Sequence, residues 1–137
     1  MWFLFAILSS VFAACTSILA KAGIEKVDSN LATAIRTCIV VFMAWIMVFV
    51  TNQQHGIVSI SRKSWIFLIL SGFATGLSWL CYFKALQTGS ASKVVPIDKT
   101  SVVFTVCLAF IFLHESCSLK VLLGCIFITA GTLLMIL

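Results

Sequence analysis

The stretch Ala85–Phe104, ALQTGSASKVVPIDKTSVVF, decides how the chain is read. Long apolar segments lie on either side of it. Within it, a run of small and polar residues gives way to a second apolar segment that carries Pro96, Asp98 and Lys99 in its first turns. An ionisable side chain near the middle of a membrane-spanning helix costs at least ~2.5 to 3.5 kcal/mol, so such residues are kept for function or paired with one another. The stretch therefore reads as a tight turn between two membrane spans, the second of them admitting charge.

The rest of the composition agrees. Of 137 residues, 62% are hydrophobic and 9% charged, with a mean hydropathy of +1.20. A hydrocarbon core about 30 Å thick takes roughly 20 apolar residues per helix. The chain therefore crosses about five times, in spans predicted at residues 2–20, 31–51, 65–86, 92–113 and 119–137. This is an all-α integral membrane protein with one membrane domain over residues 1–137 and no length left for a soluble domain. The first twenty residues lack the basic start of a signal peptide and are taken as the first span.

The net charge is +5, but the nine Lys and Arg are scattered at span ends rather than gathered in a run. That distribution anchors helices at headgroups and argues against a nucleic-acid surface. The six cysteines form no CxxC pair and mostly lie in apolar runs, where a free thiol behaves as a small hydrophobe. His55 stands alone in a polar loop, which suits solvation better than metal ligation.

The first span holds no acidic or basic residue. Asp28-Ser29-Asn30 supplies candidate N-caps for the second. In that second span Arg36 lies roughly 7 to 10 Å below the end, at 1.5 Å per residue. Thr33, Thr37 and Val40 share its neighbourhood, a mildly polar stripe expected to face protein or a wet cavity. Snorkelling to the headgroups is the other reading of Arg36.

In the third span Ser71, Thr75, Ser78 and Tyr82 form a polar stripe, while Gly72 and Gly76 make a GxxxG on another face, where a helix can approach closely. Trp79 lies away from the expected aromatic belt. With Tyr82 one turn on, it either floors a substrate pocket, including one for a cation, or fills space. The start of the fourth helix, between Ser90 and Val94, decides the role of Pro96. From Val94 the proline sits harmlessly in the first turn; from Ser90 it interrupts the helix and frees carbonyls inside the membrane. Asp98 follows, roughly 6 to 12 Å deep, with Ser101 and Thr105 below it on the same face. Lys99 lies about 100° round the helix, so the two adjacent charges are expected to face different surroundings. His114-Glu115 closes the span, with Glu115 near Lys120 serving helix ends, and Gly124 and Gly131 share one face of the fifth.

Five crossings put Lys21, Arg36, Lys84, Lys93, Asp98 and Lys99 towards one membrane face. Pairing Asp98 with Arg36 or with Lys99 is the simplest way to keep the acid ionised. Loop and boundary cations balance, with Lys21, Lys26 and Lys93 on one face against Arg62, Lys63 and Lys120 on the other, so the positive-inside rule assigns no orientation. A balanced chain inserting both ways would make an inverted-repeat transporter from one sequence.

Arg36 near the start of the second span, ALQTGSA from Ala85, Pro96 in the fourth, His114-Glu115 at its end, and LGCIFITAG over residues 123–131 are each weak motifs. Together they cover nearly the whole chain, which resembles a single repeat of the EamA-type drug/metabolite transporter superfamily, in its five-span bacterial/archaeal transporter branch. The resemblance implies one half of a ten-helix inverted-repeat transporter. It also implies a dimer of antiparallel copies; a homodimer in the cell (inner) membrane is expected. The four-span relatives carry a first-span glutamate for proton exchange; this first span has no acid, which leaves Asp98 as the embedded candidate.

The expected function is secondary transport or export of a small metabolite by alternating access. The expected substrate-binding residues are Arg36, Trp79, Tyr82, Asp98, Lys99 and Ser101. More bases than acids suggests an anionic or zwitterionic substrate, with Arg36 or Lys99 taking a carboxylate and Asp98 an amine or a proton. Dimer contact is expected through Gly72, Gly76, Gly124 and Gly131, with membrane lipid as the other partner. A flippase for a lipid-linked head group and a non-transporting accessory subunit are the alternatives. No catalytic set, metal-ligand spacing or phosphate-cradling loop is present in the sequence, so neither enzymatic activity nor a metal or cofactor is expected.

Overall fold

The structure is a computed structural model and describes residues 1–114 and 118–137. Its helices are α1 (Trp2–Ile24), α2 (Ser29–Val50), α3 (Arg62–Thr88), α4 (Ala91–Lys99), α5 (Ser101–Phe112) and α6 (Leu119–Ile136), with a short 3-10 turn at Gln54–Ser59. Five stretches are long and apolar enough to cross a membrane, Ala91–Phe112 being one span built from α4 and α5. The all-helical, five-span reading holds. Glu115 and Cys117, the first expected at a helix end and the second among the thiols, lie outside the described residues.

The helix ends show how the sequence sets its own boundaries. Asp28 caps α2, its carboxylate accepting from the amides of Asn30 at 2.9 Å and Leu31 at 3.4 Å. At the other end Asn52 adopts a left-handed φ of 54°. The amide of Gln53 then reaches back to Val48 and that of Asn52 to Phe49, so the last carbonyls of α2 are satisfied. His114, with φ 53°, stops α5 in the same left-handed conformation. Helices extend beyond the predicted spans: α1 continues past Lys21 to Ile24, α2 starts at Ser29, α3 runs from Arg62 to Thr88, and α4 starts at Ala91. Charged residues at span ends belong to the helices because their heads reach the headgroup zone while their backbones remain helical.

The chain falls into two compact units, Leu19–Gln87 and the combination of Met1–Ile18 with Thr88–Leu137. In the first, the core is formed by Ile24, Phe83 and Leu86, at 2%, 2% and 0% exposure. Lys21 Nζ donates to the Leu86 carbonyl at 2.7 Å, and Gln87 Nε2 donates to the Val27 carbonyl at 3.0 Å. These bonds satisfy backbone oxygens at the end of α3 and in the α1–α2 turn that have no helical donor.

In the second unit, α4 packs on α6. Lys93 Nζ donates to the Ile136 carbonyl at 2.9 Å, and the Thr132 hydroxyl reaches the Pro96 carbonyl at 3.5 Å. The helix starts at Ala91 with Ser90 before it, so Pro96 is interior and the interrupting alternative is the one realised. Pro96 has no amide hydrogen to give the Ser92 carbonyl. Four residues on, the Thr100 amide bonds to Ile97 at 3.0 Å and the Val103 amide to Thr100 at 2.9 Å, both three residues back. The fourth span is therefore two helices joined at Thr100.

Among the described residues, no neighbouring atom lies within 4 Å of where a Cβ would sit at Gly72, Gly76, Gly124 or Gly131. The glycine faces are thus left open by the chain's own helices.

Candidate functional site

Arg36 sits two turns into α2, on the face that carries Ser29 and Thr33 at spacings of seven and three. Thr33 is buried, and its hydroxyl donates to the Ser29 carbonyl at 2.7 Å; that of Thr37 donates to Thr33 at 2.7 Å. Both threonines therefore spend their hydroxyl protons within the helix. The half-buried Arg36 guanidinium lies over the ring of Phe83, 4.3 Å from its centroid, and 5.9 Å from that of Trp79. Each such contact is worth roughly 0.5 to 2 kcal/mol, more as water is excluded. Trp79 and Phe83 are four residues apart on α3 and present one face. Tyr82 packs edge-on against Phe83 at 5.4 Å.

The cation that this aromatic surface holds is the chain's own. Of the residues expected at the site, Arg36, Trp79 and Tyr82 are brought together. Phe83, which makes the closest ring contact, was not among them. Its one available signal was its place one turn after Trp79, and as one apolar residue among many it offered no contrast.

The N–H donors of a guanidinium lie round the edge of its plane. Arg36 Nη1 is buried and has no hydrogen-bond partner among the described residues. The hydroxyl of Ser29 is in the same condition, with the residue 1% exposed. Ser29 is the first helical residue of α2, so it lacks the preceding helical turn whose carbonyl Thr33 and Thr37 use. A buried donor left unmade costs about 1 to 3 kcal/mol. Two such donors, one of them cationic, thus lie on one stripe of α2. The sequence offered Ser29 only as a cap candidate.

Beside this stripe an open groove of about 640 Å³ runs along α2 and α3, lined by residues that include Thr37, Cys38, Val41, Phe42, Trp45 and Gly76. Its surface is almost wholly apolar.

In the other unit, Lys99 Nζ lies 3.7 Å from Asp98 Oδ2. The expectation that the two adjacent charges face different surroundings is thereby corrected. Their backbone positions diverge by 100°, but the four-carbon lysine stem swings back across that angle. Both side chains keep contact with the outside, 58% for Lys99 and 38% for Asp98. Ser101 is exposed in the first turn of α5, beyond the Thr100 joint, and its carbonyl accepts the Thr105 hydroxyl at 2.9 Å. Lys21 and Lys93, two of the cations expected to crowd one membrane face, are engaged with helix-end carbonyls.

The EamA-like transporter family matches residues 1–137. A Sinorhizobium protein described as an uncharacterized transporter in the cobO 3′ region is 42% identical over 134 residues, which is 98% of this chain and 95% of that one. An uncharacterized protein of Methanocaldococcus jannaschii is 26% identical over 98 residues, 72% of this chain and 65% of the relative. No solved structure matches at comparable significance.

Proposed function

The chain belongs to the EamA-like transporter family and is a multi-pass membrane protein, and from that premise we propose that it is a secondary transporter or exporter of a small anionic or zwitterionic metabolite across the cell (inner) membrane. The observation that carries this reading is Arg36. A guanidinium held within a span by two rings, with a buried donor unpartnered, is a costly arrangement for an anchor alone. In this reading Arg36, with Trp79 and Tyr82 beside it, receives the substrate. Asp98 carries a coupling proton or a substrate amine, Lys99 stands as its counter-ion, and Ser101 is a further substrate contact.

One five-span unit supplies half of the helices that alternating access uses in ten-span relatives, so the working form is a dimer of oppositely oriented copies. The open faces at Gly72, Gly76, Gly124 and Gly131 support this, because small residues let helices of a second copy approach closely. The test is gradient-driven uptake into proteoliposomes with wild type and Asp98→Asn. Loss of gradient dependence in the variant is expected; transport with unchanged coupling would remove Asp98 from its role.

A second reading, translocation of a lipid-linked head group, is favoured by the apolar groove along α2 and α3. It predicts a lipid that co-purifies with wild type and is lost from Arg36→Ala.

A further inference from the structure

We infer that α2 and α3 build a carboxylate site in which Arg36 and Ser29 supply the donors and Phe83 and Trp79 the floor, and that its ligand is a small organic acid with an apolar or aromatic body. The inference deepens the transport reading and rests on it for the ligand's role, though not for its binding.

Three observations converge. The guanidinium lies over Phe83 at 4.3 Å and near Trp79 at 5.9 Å, a cation held against an aromatic surface while one of its N–H groups stays unpartnered. A planar guanidinium edge matches the two oxygens of a carboxylate, which Lys could meet only as a point charge. Arg36 Nη1 and Ser29 Oγ, on one stripe of α2, are both buried and without partners, whereas the neighbouring hydroxyls of Thr33 and Thr37 are engaged in the helix. Both leftover groups can donate, and an ammonium ligand would meet a cation there. The ring surface is extended by Tyr82 packed on Phe83, an aromatic wall that rewards an apolar body on the acid. Ser29, two turns nearer the helix start on the same stripe, is the second donor of the site.

Benzoate is the probe, titrated calorimetrically into the full-length protein in nanodiscs, with benzamide as its neutral isostere and acetate as the acid without a body. Benzoate should bind, and benzamide should bind about ten- to a hundredfold more weakly, the range for losing a charged hydrogen bond. Arg36→Gln should show a loss of the same size, Arg36→Lys a partial one, and Ser29→Ala a loss of about two- to tenfold. No benzoate binding by wild type, or benzamide binding as tightly as benzoate, overturns the site. Acetate binding as tightly as benzoate overturns the apolar body. Should Arg36→Gln fail to fold, Arg36→Lys and Ser29→Ala decide, and unchanged affinity in both refutes the assignment. Counterflow of radiolabelled benzoate in proteoliposomes separates this from the wider reading. Binding without counterflow leaves the site standing and removes transport of such acids. Counterflow of benzylamine by a protein that does not bind benzoate keeps a transporter and overturns the site.

Discussion

Arg36 lies against rings inside a span, with no acid paired to it among the described residues, and Phe83 makes the closest ring contact. Phe83 is 2% exposed and in direct contact with the guanidinium. Phe83→Ala is expected to cost about 3 to 5 kcal/mol, as deletions of buried rings do, visible as a lowered unfolding midpoint in detergent. Lys21 allows a sharper comparison. Its ammonium satisfies the carbonyl of the fully buried Leu86, so Lys21→Met should destabilise by about 1 to 3 kcal/mol. Lys63→Met, at an exposed position in the first turn of α3, should stay within about 0.5 kcal/mol. Equal effects of the two would show that the Leu86 contact does not matter to stability.

The fourth span belongs to the scale of elements. Pro96 deprives Ser92 of a donor, and the backbone tightens to three-residue bonds around Thr100. Pro96→Ala restores the missing amide to the Ser92 carbonyl and should give a higher unfolding midpoint and a slower transport cycle, because α4 is stiffened next to the joint at Thr100. Faster or unchanged turnover in proteoliposomes would show that the joint is incidental. The spans themselves were legible in the sequence because twenty apolar residues in a row permit few other readings. Their ends were less so, since Lys21 and Arg62 look like loop residues by composition and are helical by backbone. The sequence posed the Pro96 question and lacked the one datum, a start at Ala91, that answers it. Lys99 was misjudged because helical angles fix the Cβ and not the end of a flexible stem. Ser29 and Phe83 were illegible as site residues: one looked like a cap and the other like bilayer-facing bulk.

For the molecule as a whole, the open glycine faces carry the assembly prediction. Nothing lies within 4 Å of a Cβ at Gly76, so Gly76→Leu should leave the single chain folded while weakening a dimer formed on that face by about tenfold, the equivalent of 1 to 2 kcal/mol of helix association. Single-molecule counting in liposomes reads this directly, and an unchanged dimer would move the contact elsewhere. Paired fusions at Leu137, one reporter active inside the cell and one outside, should both be active if the chain inserts in two orientations. Activity from one alone would require a partner other than a reversed copy.

The contact between Arg36 and Trp79 also has an optical consequence. An indole near a fixed positive charge emits at a wavelength set by that charge, and here the charge is the group proposed to meet the ligand. Replacing Trp2, Trp45 and Trp65 with Phe would leave Trp79 as the sole indole, and the colour of its light would then follow the guanidinium through each stage of turnover without an added dye.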